Sequence, residues 1–168
     1  MRVVVGVDPG VTGALALMVN GLLIDVADMP AAVGAGTKSN RVLAGELRLI
    51  VDDWGFRYPE PDHQWMAIVE GVNAMPKNGA IAGFSLGHSL GTVEAVLHCL
   101  LIGVEHVSPA VWKRAMGLGK DKNASRALAS QLYPGHATKW ARVKDDGRAE
   151  AVLLAHWFTH RSGRAGAA

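Results

Sequence analysis

The chain has 168 residues, with 49% apolar residues, 19% charged residues and a formal net charge of +2. These proportions exclude a disordered chain, and the length fits one domain with a sizeable core. The sequence has no run of 18 apolar residues and no N-terminal signal pattern, so we expect neither a membrane span nor secretion. The single cysteine, Cys99, lies in an apolar run and is expected to be a buried, inert thiol. Together these features predict a cytoplasmic protein.

The first half of the chain predicts three strands followed by a helix. Apolar residues from Val3 onward predict a strand that ends at Asp8, and the next two apolar runs flank Asn20-Gly21. Asn-Gly between apolar runs is a strong hairpin signal, so these strands should form an antiparallel meander. Residues 29–40 are rich in small residues and are expected to form a loop. Asn40 is then expected to cap a helix that stops at Gly55.

The second half predicts two strands and four helices around one sheet. The segment "WMAIVE" reads as a strand that ends at Glu70, and "VEHVS" reads as the fifth strand. Ser108 followed by Pro109 is a well-formed helix start. The four helices are expected at about residues 80–101, 109–117, 121–133 and 148–160. This order predicts a single mixed α/β domain over residues 1–160, with a flexible tail at 161–168.

Two predicted strands end in an acid. Side chains alternate along a strand, so Asp8 shares a face with Val4 and Gly6, and Glu70 is likewise the last residue of its strand. Ligands of α/β sheets bind outside the carboxyl ends of the strands, where two adjacent acidic ends would meet. The alternatives are that Asp8 only forms a turn before Pro9 and that Glu70 is solvated.

The last predicted helix carries further acids. Glu150 falls on one stripe with Leu153, Leu154 and Trp157, so it should face the sheet, where an uncompensated acid is costly. Asp146 lies one turn earlier on the same side, with Asp145 as the alternative and simple helix capping as the competing interpretation. Converging carboxylates require a hard divalent cation such as Mg²⁺, and two such ions can clamp a phosphodiester during hydrolysis.

Basic residues cluster in the segment "WKRAMGLGKDKNASR", and Lys77 lies in the earlier loop "MPKNG". Such local patches suit a polyanionic partner, although solvated surface lysines would give the same pattern. The residues that we expect to contact DNA in this interpretation are Lys77, Lys113, Arg114, Lys120 and Lys122.

Four motifs in order resemble the RuvC family of Holliday junction resolvases, most closely its phage-type members, within the ribonuclease H-like superfamily. They are "VGVDPGVTGALAL", "AIVEGVNAMPKNGAIAGFSLGHSLG", "VSPAVWKRAMGLGKDK" and "KDDGRAEAVLLAHW", and they cover about residues 2–160. The resemblance implies a ribonuclease H-like fold with a mixed five-stranded sheet flanked by helices. It also implies cleavage of four-way and possibly other branched DNA by two Mg²⁺ ions, with Mn²⁺ as a possible substitute.

Carried over to this sequence, the resemblance implies that Asp8, Glu70 and Glu150 hold the metals, with Asp146 as the fourth ligand. The family usually spaces its last two acids three residues apart, but here that position is Gly147, and Glu150 replaces the more usual Asp. Lys113 matches a basic position of the family, and Lys122 matches one linked to catalysis. A lysine near the scissile phosphate would stabilise developing charge. The usual junction-wedging aromatic is replaced by the segment "GVNAMPKN", in which Met75 is the candidate wedge.

Glycines recur every four residues at Gly83, Gly87 and Gly91, on one stripe of a predicted helix. Mid-helix glycine costs up to about 1 kcal/mol relative to alanine, so close approach of another element should compensate. The resemblance implies a homodimer through this helix, and packing on the protein's own sheet is the alternative.

Two other function classes remain open at this stage. The segment "DPGVTG" also resembles the phosphate loop of actin-like and sugar-kinase-like nucleotide binders. A catalytically inactive relative that binds branched DNA is the other alternative, which the four candidate acids disfavour.

Overall fold

The computed structural model describes residues 2–33, 40–58, 64–71, 79–119 and 121–161. A five-stranded sheet in the order β3-β2-β1-β6-β7 forms its centre, and β4 and β5 pair separately. The strands are β1 Arg2–Asp8, β2 Ala14–Val19, β3 Leu22–Asp28, β4 Ala31–Val33, β5 Asn40–Val42, β6 Gln64–Glu70 and β7 Gly103–Val107. The helices are α1 Ala44–Arg57, α2 Gly79–Cys99, α3 Pro109–Ala115, α4 Lys122–Leu132 and α5 Asp146–His160.

The first three strands form the predicted antiparallel meander. β2 pairs with both β1 and β3, and the β2–β3 turn uses Asn20 and Gly21 at positive φ, as the Asn-Gly signal predicts. β6 then runs parallel to β1, and β7 runs parallel to β6. The parallel half of the sheet therefore brings the carboxyl ends of β1, β6 and β7 to one edge.

The two faces of the sheet are covered by different helices. Val3, Val5 and Val7 of β1 lie in a core shared with residues of α1 and α2, whereas Val4 lies in a second core built largely from α5. Gly6 allows α5 to pack against β1, because a Cβ at Gly6 would lie 2.3 Å from the carbonyl oxygen of Ala151. Helix α5 consequently runs directly across the face on which Asp8 lies.

The segment between β3 and α1 differs from the prediction. Residues 31–33 and 40–42 form a short antiparallel pair rather than a loop, so Asn40 belongs to β5 and does not cap a helix. Helix α1 begins two residues after β5 and continues past Gly55 to Arg57. A single glycine with open space around it did not end this helix.

Helix α2 corrects the prediction for Cys99. It is long and apolar enough, by length and composition alone, to cross a membrane, and only 22% of its most apolar window is buried within the described chain. Cys99 at its end is exposed, so the prediction of a buried thiol was wrong.

The C-terminal region is more ordered than predicted. Two short 3₁₀ helices, Pro134–Trp140 and Val143–Asp145, occupy the segment expected to be a loop, and α5 starts at Asp146. Arg161, assigned to the flexible tail, forms a fork with the Glu105 carboxylate of β7 and stacks on Phe158.

Candidate active site

Asp8 and Glu70 lie side by side at the carboxyl edge of the sheet. β1 and β6 are parallel neighbours, and Val7 pairs with Val69, so the next residue of each strand is an acid. Both acids lie on the sheet face covered by α5. The sequence predicted this juxtaposition from the strand ends alone.

The turn after β1 is built around the Asp8 side chain. The backbone N–H of Gly10 donates to Oδ1 of Asp8 at 3.2 Å. Gly13 packs beneath it, since a Cβ there would lie 2.8 Å from Cγ of Asp8. Burial, and to a lesser degree the nearby Glu150 and Asp146, raises the pKa of Asp8 to about 6. The Asp-Pro-Gly sequence thus holds the Asp8 side chain in a fixed position, although burial disfavours its ionised form.

Glu70 is oriented by an indole. Nε1 of Trp112, a fully buried residue of α3, donates to Oε1 of Glu70 at 2.9 Å. Burial, and to a lesser degree the charges of Asp8 and Glu150, raises the pKa of Glu70 to about 7 against the lowering effect of the indole bond. Both strand-end acids therefore have raised pKa values, as is common where carboxylates converge at a functional site.

Glu150 approaches the strand-end acids from α5 and is paired with a lysine. Nζ of Lys113 donates to Oε1 of Glu150 at 2.7 Å, and Oγ of Ser125 on α4 donates to the same oxygen at 3.3 Å. The Lys113 and Glu150 side chains are only 22% and 12% exposed. This ion pair is therefore largely shielded from solvent, and its hydrogen bond is charge-assisted.

Asp146 is the first residue of α5, and its charge contributes to the raised pKa of Asp8. Gly147, which occupies the family's usual acid position, has no room for a side chain. A Cβ there would lie 2.8 Å from the Thr12 carbonyl oxygen and 3.2 Å from Oδ2 of Asp8. Because α5 packs this tightly on the Asp8 turn, position 147 cannot carry an acidic side chain. An acid in the first turn of α5 must therefore occupy another position.

Asp145, the alternative fourth ligand, forms an ion pair with Arg142. Arg142 donates to both of its carboxylate oxygens, each at 2.9 Å, and the Arg142 backbone N–H adds a bond at 3.2 Å. These bonds hold the pKa of the buried Asp145 carboxyl below its usual range. Asp145 therefore closes the turn before α5, which leaves Asp146 as the better candidate ligand.

The residue types fit a hard divalent cation, but the side chains are not yet gathered around one point. Among the described residues, no three Asp, Glu, His or Cys side chains lie close enough together to share a metal ion. Three of the acids each have their own donor: the Gly10 N–H for Asp8, the Trp112 indole for Glu70 and the Lys113 ammonium for Glu150. Together with Asp146 they supply the carboxylate oxygens that a hard divalent cation takes as ligands.

Only some of the residues predicted to contact DNA lie in the part of the chain that the structure describes. Lys113 lies inside the acidic site, and Arg114 beside it is exposed. Lys122 is the first residue of α4, but its side chain is not described, and Lys77 and Lys120 lie outside the described residues, as does Met75. Two other basic residues, Lys139 and Arg142, are ion-paired with Asp25 and Asp145.

Two residues that contact the acids were not identified from the sequence. Trp112 had a usable signal, because a buried indole N–H needs an acceptor and its neighbour Lys113 was already a candidate. Ser125 had no such signal, because nothing in the sequence distinguishes it from any other serine in a helix.

Comparisons with known proteins identify the fold. The chain is 35% identical over 91 residues, 53% of its length, to the chloroplastic Holliday junction resolvase MOC1 of Chlamydomonas reinhardtii, of which the matched part is only 10%. A Thermus thermophilus RuvC structure with a Holliday junction substrate matches 96% of both chains with a TM-score of 0.55 and 20% identity. The yeast mitochondrial resolvase Ydc2 matches 96% of this chain and 80% of its own, with a TM-score of 0.50 and 11% identity. No protein-family model matches the sequence.

These likenesses confirm the predicted α/β ribonuclease H-like fold, with its mixed five-stranded sheet flanked by helices. Each of these likenesses is to a RuvC or to another Holliday junction resolvase, so the phosphate-loop interpretation of "DPGVTG" is not favoured. In this structure the segment instead forms the turn that holds Asp8.

Proposed function

We propose that this protein is a structure-selective endonuclease that resolves four-way DNA junctions by metal-dependent phosphodiester hydrolysis. The observation that carries the proposal is the placement of Asp8, Glu70, Asp146 and Glu150 around one edge of a RuvC-type sheet. The relatives' names support the substrate: one is a RuvC bound to a Holliday junction, and two others are Holliday junction resolvases.

In this proposal the four acids hold Mg²⁺, or Mn²⁺ in its place. Bound divalent ions activate water and neutralise charge on the scissile phosphate. Asp8 and Glu70 would bind the cations in their ionised forms. In the metal-free protein, Lys113 supplies a positive charge next to Glu150. If its side chain turned from Glu150 toward the scissile phosphate, the ammonium would stabilise the negative charge that develops there. Lys122 at the start of α4 has the same proposed role.

DNA binding is assigned to the basic residues that border the acidic edge. Arg114 is exposed next to Lys113 on α3, and α4 begins at Lys122 only seven residues after α3 ends. We assign phosphate contacts to Lys77, Lys113, Arg114, Lys120 and Lys122. Because phosphate contacts release counterions, junction affinity should fall steeply with salt.

We also propose that the active form is a homodimer through α2. A Cβ on Gly83, Gly87 or Gly91 would meet nothing within 4 Å, so these glycines do not pack on the protein's own sheet. Ile81 and Phe84 of the same helix are 79% and 65% exposed. An apolar groove of about 700 Å³ lies between α1 and α2, lined in part by Gly87 and Gly91. A second copy of α2 would cover this surface, which also explains the helix's membrane-like composition without requiring a membrane.

A dimer gives the reaction its symmetry. Two sites related by a two-fold axis can cut two strands of a four-way junction at matching positions. One copy of the chain presents one acidic edge, so paired cuts need the partner's edge as well.

The test is a panel of labelled DNAs with Mg²⁺ or EDTA: a four-way junction with a migrating core, a three-way junction, a flap and a linear duplex. A migrating core samples many sequences, so a sequence preference would not hide cleavage. We expect paired nicks in the four-way junction with Mg²⁺ and an intact linear duplex. Equal cutting of the linear duplex would refute structure selectivity, and binding without any cleavage would favour the inactive relative. ATP hydrolysis measured in parallel tests the nucleotide-binding alternative.

A further inference from the structure

Trp112 connects the core of the domain to one acid of the site. Its side chain is fully buried, and its N–H reaches Oε1 of Glu70, which lies on a different element. The geometry is set by the backbone. Glu70 pairs with Val107 at the end of β7, the Gly71 N–H donates to the Val107 carbonyl at 2.7 Å, and α3 begins two residues later. The helix that carries Trp112 is therefore fixed beside Glu70.

The chemistry of the indole suits a residue that orients a metal ligand. An indole N–H is a donor only and is uncharged, so it fixes a carboxylate without neutralising it. Lys113 differs, because its ammonium competes with any cation for Glu150. A buried Trp also has only two side-chain torsions, and both are restrained by packing, so its donor has little freedom to follow a displaced carboxylate.

The same indole also faces Lys113. Nζ of Lys113 lies 5.2 Å from the centre of the Trp112 ring while it binds Glu150. Two consecutive residues of α3 thus contact two acids that are 80 positions apart in the chain. Helix α3 links the strand-end acid Glu70 to the helix acid Glu150.

We propose that Trp112 is a positioning residue that holds the Glu70 carboxylate in the orientation needed for divalent cation binding. The inference rests on the proposed function in that Glu70 is taken as a metal ligand. Hydrogen bonds to metal ligands typically contribute about 10-fold to 100-fold in metal affinity, which sets the expected size of the effect.

The chain offers a closely matched control. Trp140 is also buried in the core on the α5 side of the sheet, and its Nε1 donates at 2.9 Å to Oγ of Ser130, which is not a candidate ligand. Trp112→Phe and Trp140→Phe make the same chemical change in the same core. Each removes an indole N–H bond of equal length, and only the first removes one from Glu70.

The experiment measures Mn²⁺ binding to each full-length variant by calorimetry without DNA, together with the rise in Tm on adding Mn²⁺. Junction affinity in EDTA and the Mg²⁺ dependence of cleavage are measured alongside. We expect Trp112→Phe to raise the Mn²⁺ Kd by about tenfold and to shift the Mg²⁺ midpoint of cleavage equally. Junction affinity in EDTA should stay unchanged, and Trp140→Phe should leave the Mn²⁺ Kd near that of the wild type.

Equal Mn²⁺ affinity in the two variants would overturn the proposal, and so would a wild type that binds no Mn²⁺. If Trp112→Phe does not fold, 3-benzothienylalanine at position 112 replaces the N–H by sulfur in nearly the same shape, and the same comparison applies. If the wild type binds Mn²⁺ but cuts no junction, the proposed function fails while a difference between the variants would still support the positioning role. If the wild type cuts and the variants do not differ, only the positioning role fails.

Discussion

At the residue scale, three of the four acids of the site are held by different kinds of donor. Asp8 accepts from a backbone N–H, Glu70 from a neutral indole and Glu150 from an ammonium group. Of these three donors only Lys113 carries a charge, so it would compete electrostatically with an incoming cation. Binding of a metal ion would therefore displace the Lys113 ammonium from Glu150 and leave it available to the substrate.

Asp146 and Asp145 are adjacent, but we expect opposite phenotypes. Asp146→Asn should lower the single-turnover cleavage rate by at least about a hundredfold, because it removes one ligand of a metal clamp. Asp145→Asn should mainly lower Tm, since it puts an amide group against the donors of Arg142. Cleavage of a four-way junction across a Mg²⁺ titration, with thermal melts of both variants, checks this. A stable but inactive Asp145→Asn beside an active Asp146→Asn would reverse the assignment.

Strand periodicity was sufficient to predict where Asp8 and Glu70 lie, because both end apolar strands at one edge of the sheet. Helical spacing favoured Asp146, but only the structure shows that Arg142 binds Asp145 and that Gly147 has no room for a side chain. The bond from Trp112 to Glu70 joins residues 42 positions apart, so it depends on tertiary packing that no local pattern encodes.

At the element scale, α2 presents a small-residue stripe to its surroundings rather than to the sheet. The stripe continues from Gly91 through Ala95 to Cys99, again every four residues, and the last two are also exposed. Internal anchoring comes from the opposite side, where Val93 and Leu97 are fully buried and Glu94 contacts His106 at 2.9 Å. One face of this helix thus belongs to the core, and the other remains available for a partner.

We predict that Gly87→Leu weakens dimerisation without unfolding the chain. Leucine would hold two α2 helices apart, although it is intrinsically better than glycine in a helix by up to about 1 kcal/mol. Gly55→Leu in α1 is the matched control, because its Cβ also meets nothing within 4 Å but lies away from the stripe. Sedimentation equilibrium over a concentration series measures the dimer constant. An unchanged dimer in Gly87→Leu, or a wild type that is monomeric throughout, would contradict the α2 interface.

The long elements were predictable from the sequence and the short ones were not. The meander, the parallel strands and the helices have periodic apolar patterns or clear start signals, such as Ser108-Pro109 before α3. β4 and β5 have three residues each, which is too few to show an alternating pattern. Each strand pairs with the other, so neither segment can be recognised on its own. The sequence also suggested a buried Cys99, since an apolar run does not reveal which of its residues face outward.

At the scale of the whole molecule, metal binding should be linked to pH. With the pKa of Asp8 raised to about 6 and that of Glu70 to about 7, both acids carry protons in much of the metal-free protein at pH 6. A cation must displace those protons, so its affinity falls as pH falls. If both acids bind one ion, the apparent Mn²⁺ Kd should rise about 20-fold from pH 8 to pH 6.

Calorimetric Mn²⁺ titrations between pH 6 and pH 8 test this linkage, with Glu70→Gln as the control because its amide takes up no proton. That variant should bind more weakly but with a smaller pH dependence. A Kd that does not vary with pH in the wild type would show that these two acids are not ligands.

We predict that Asp8→Asn separates cutting from binding. Asparagine fills a metal-bridging role poorly, and the loss of one negative charge reduces repulsion of DNA phosphates. The variant should also remain well folded. Because the pKa of Asp8 is raised from 3.8 to about 6, its ionisation costs stability that grows as pH rises above 3.8 and is complete above about pH 6. The neutral amide removes that cost while it can still accept from Gly10. At pH 8 its Tm should therefore equal or exceed that of the metal-free wild type.

The most direct measurement is single-turnover cleavage of a four-way junction, with each strand labelled in turn, by the wild type and Asp8→Asn in Mg²⁺ and in EDTA. The wild type should nick two opposite strands in Mg²⁺ and neither in EDTA. Asp8→Asn should bind the junction at least as tightly and leave all four strands intact. A wild type that leaves the junction uncut in Mg²⁺, or an Asp8→Asn variant that cuts at the wild-type rate, would contradict a metal-dependent nuclease site at this edge of the sheet.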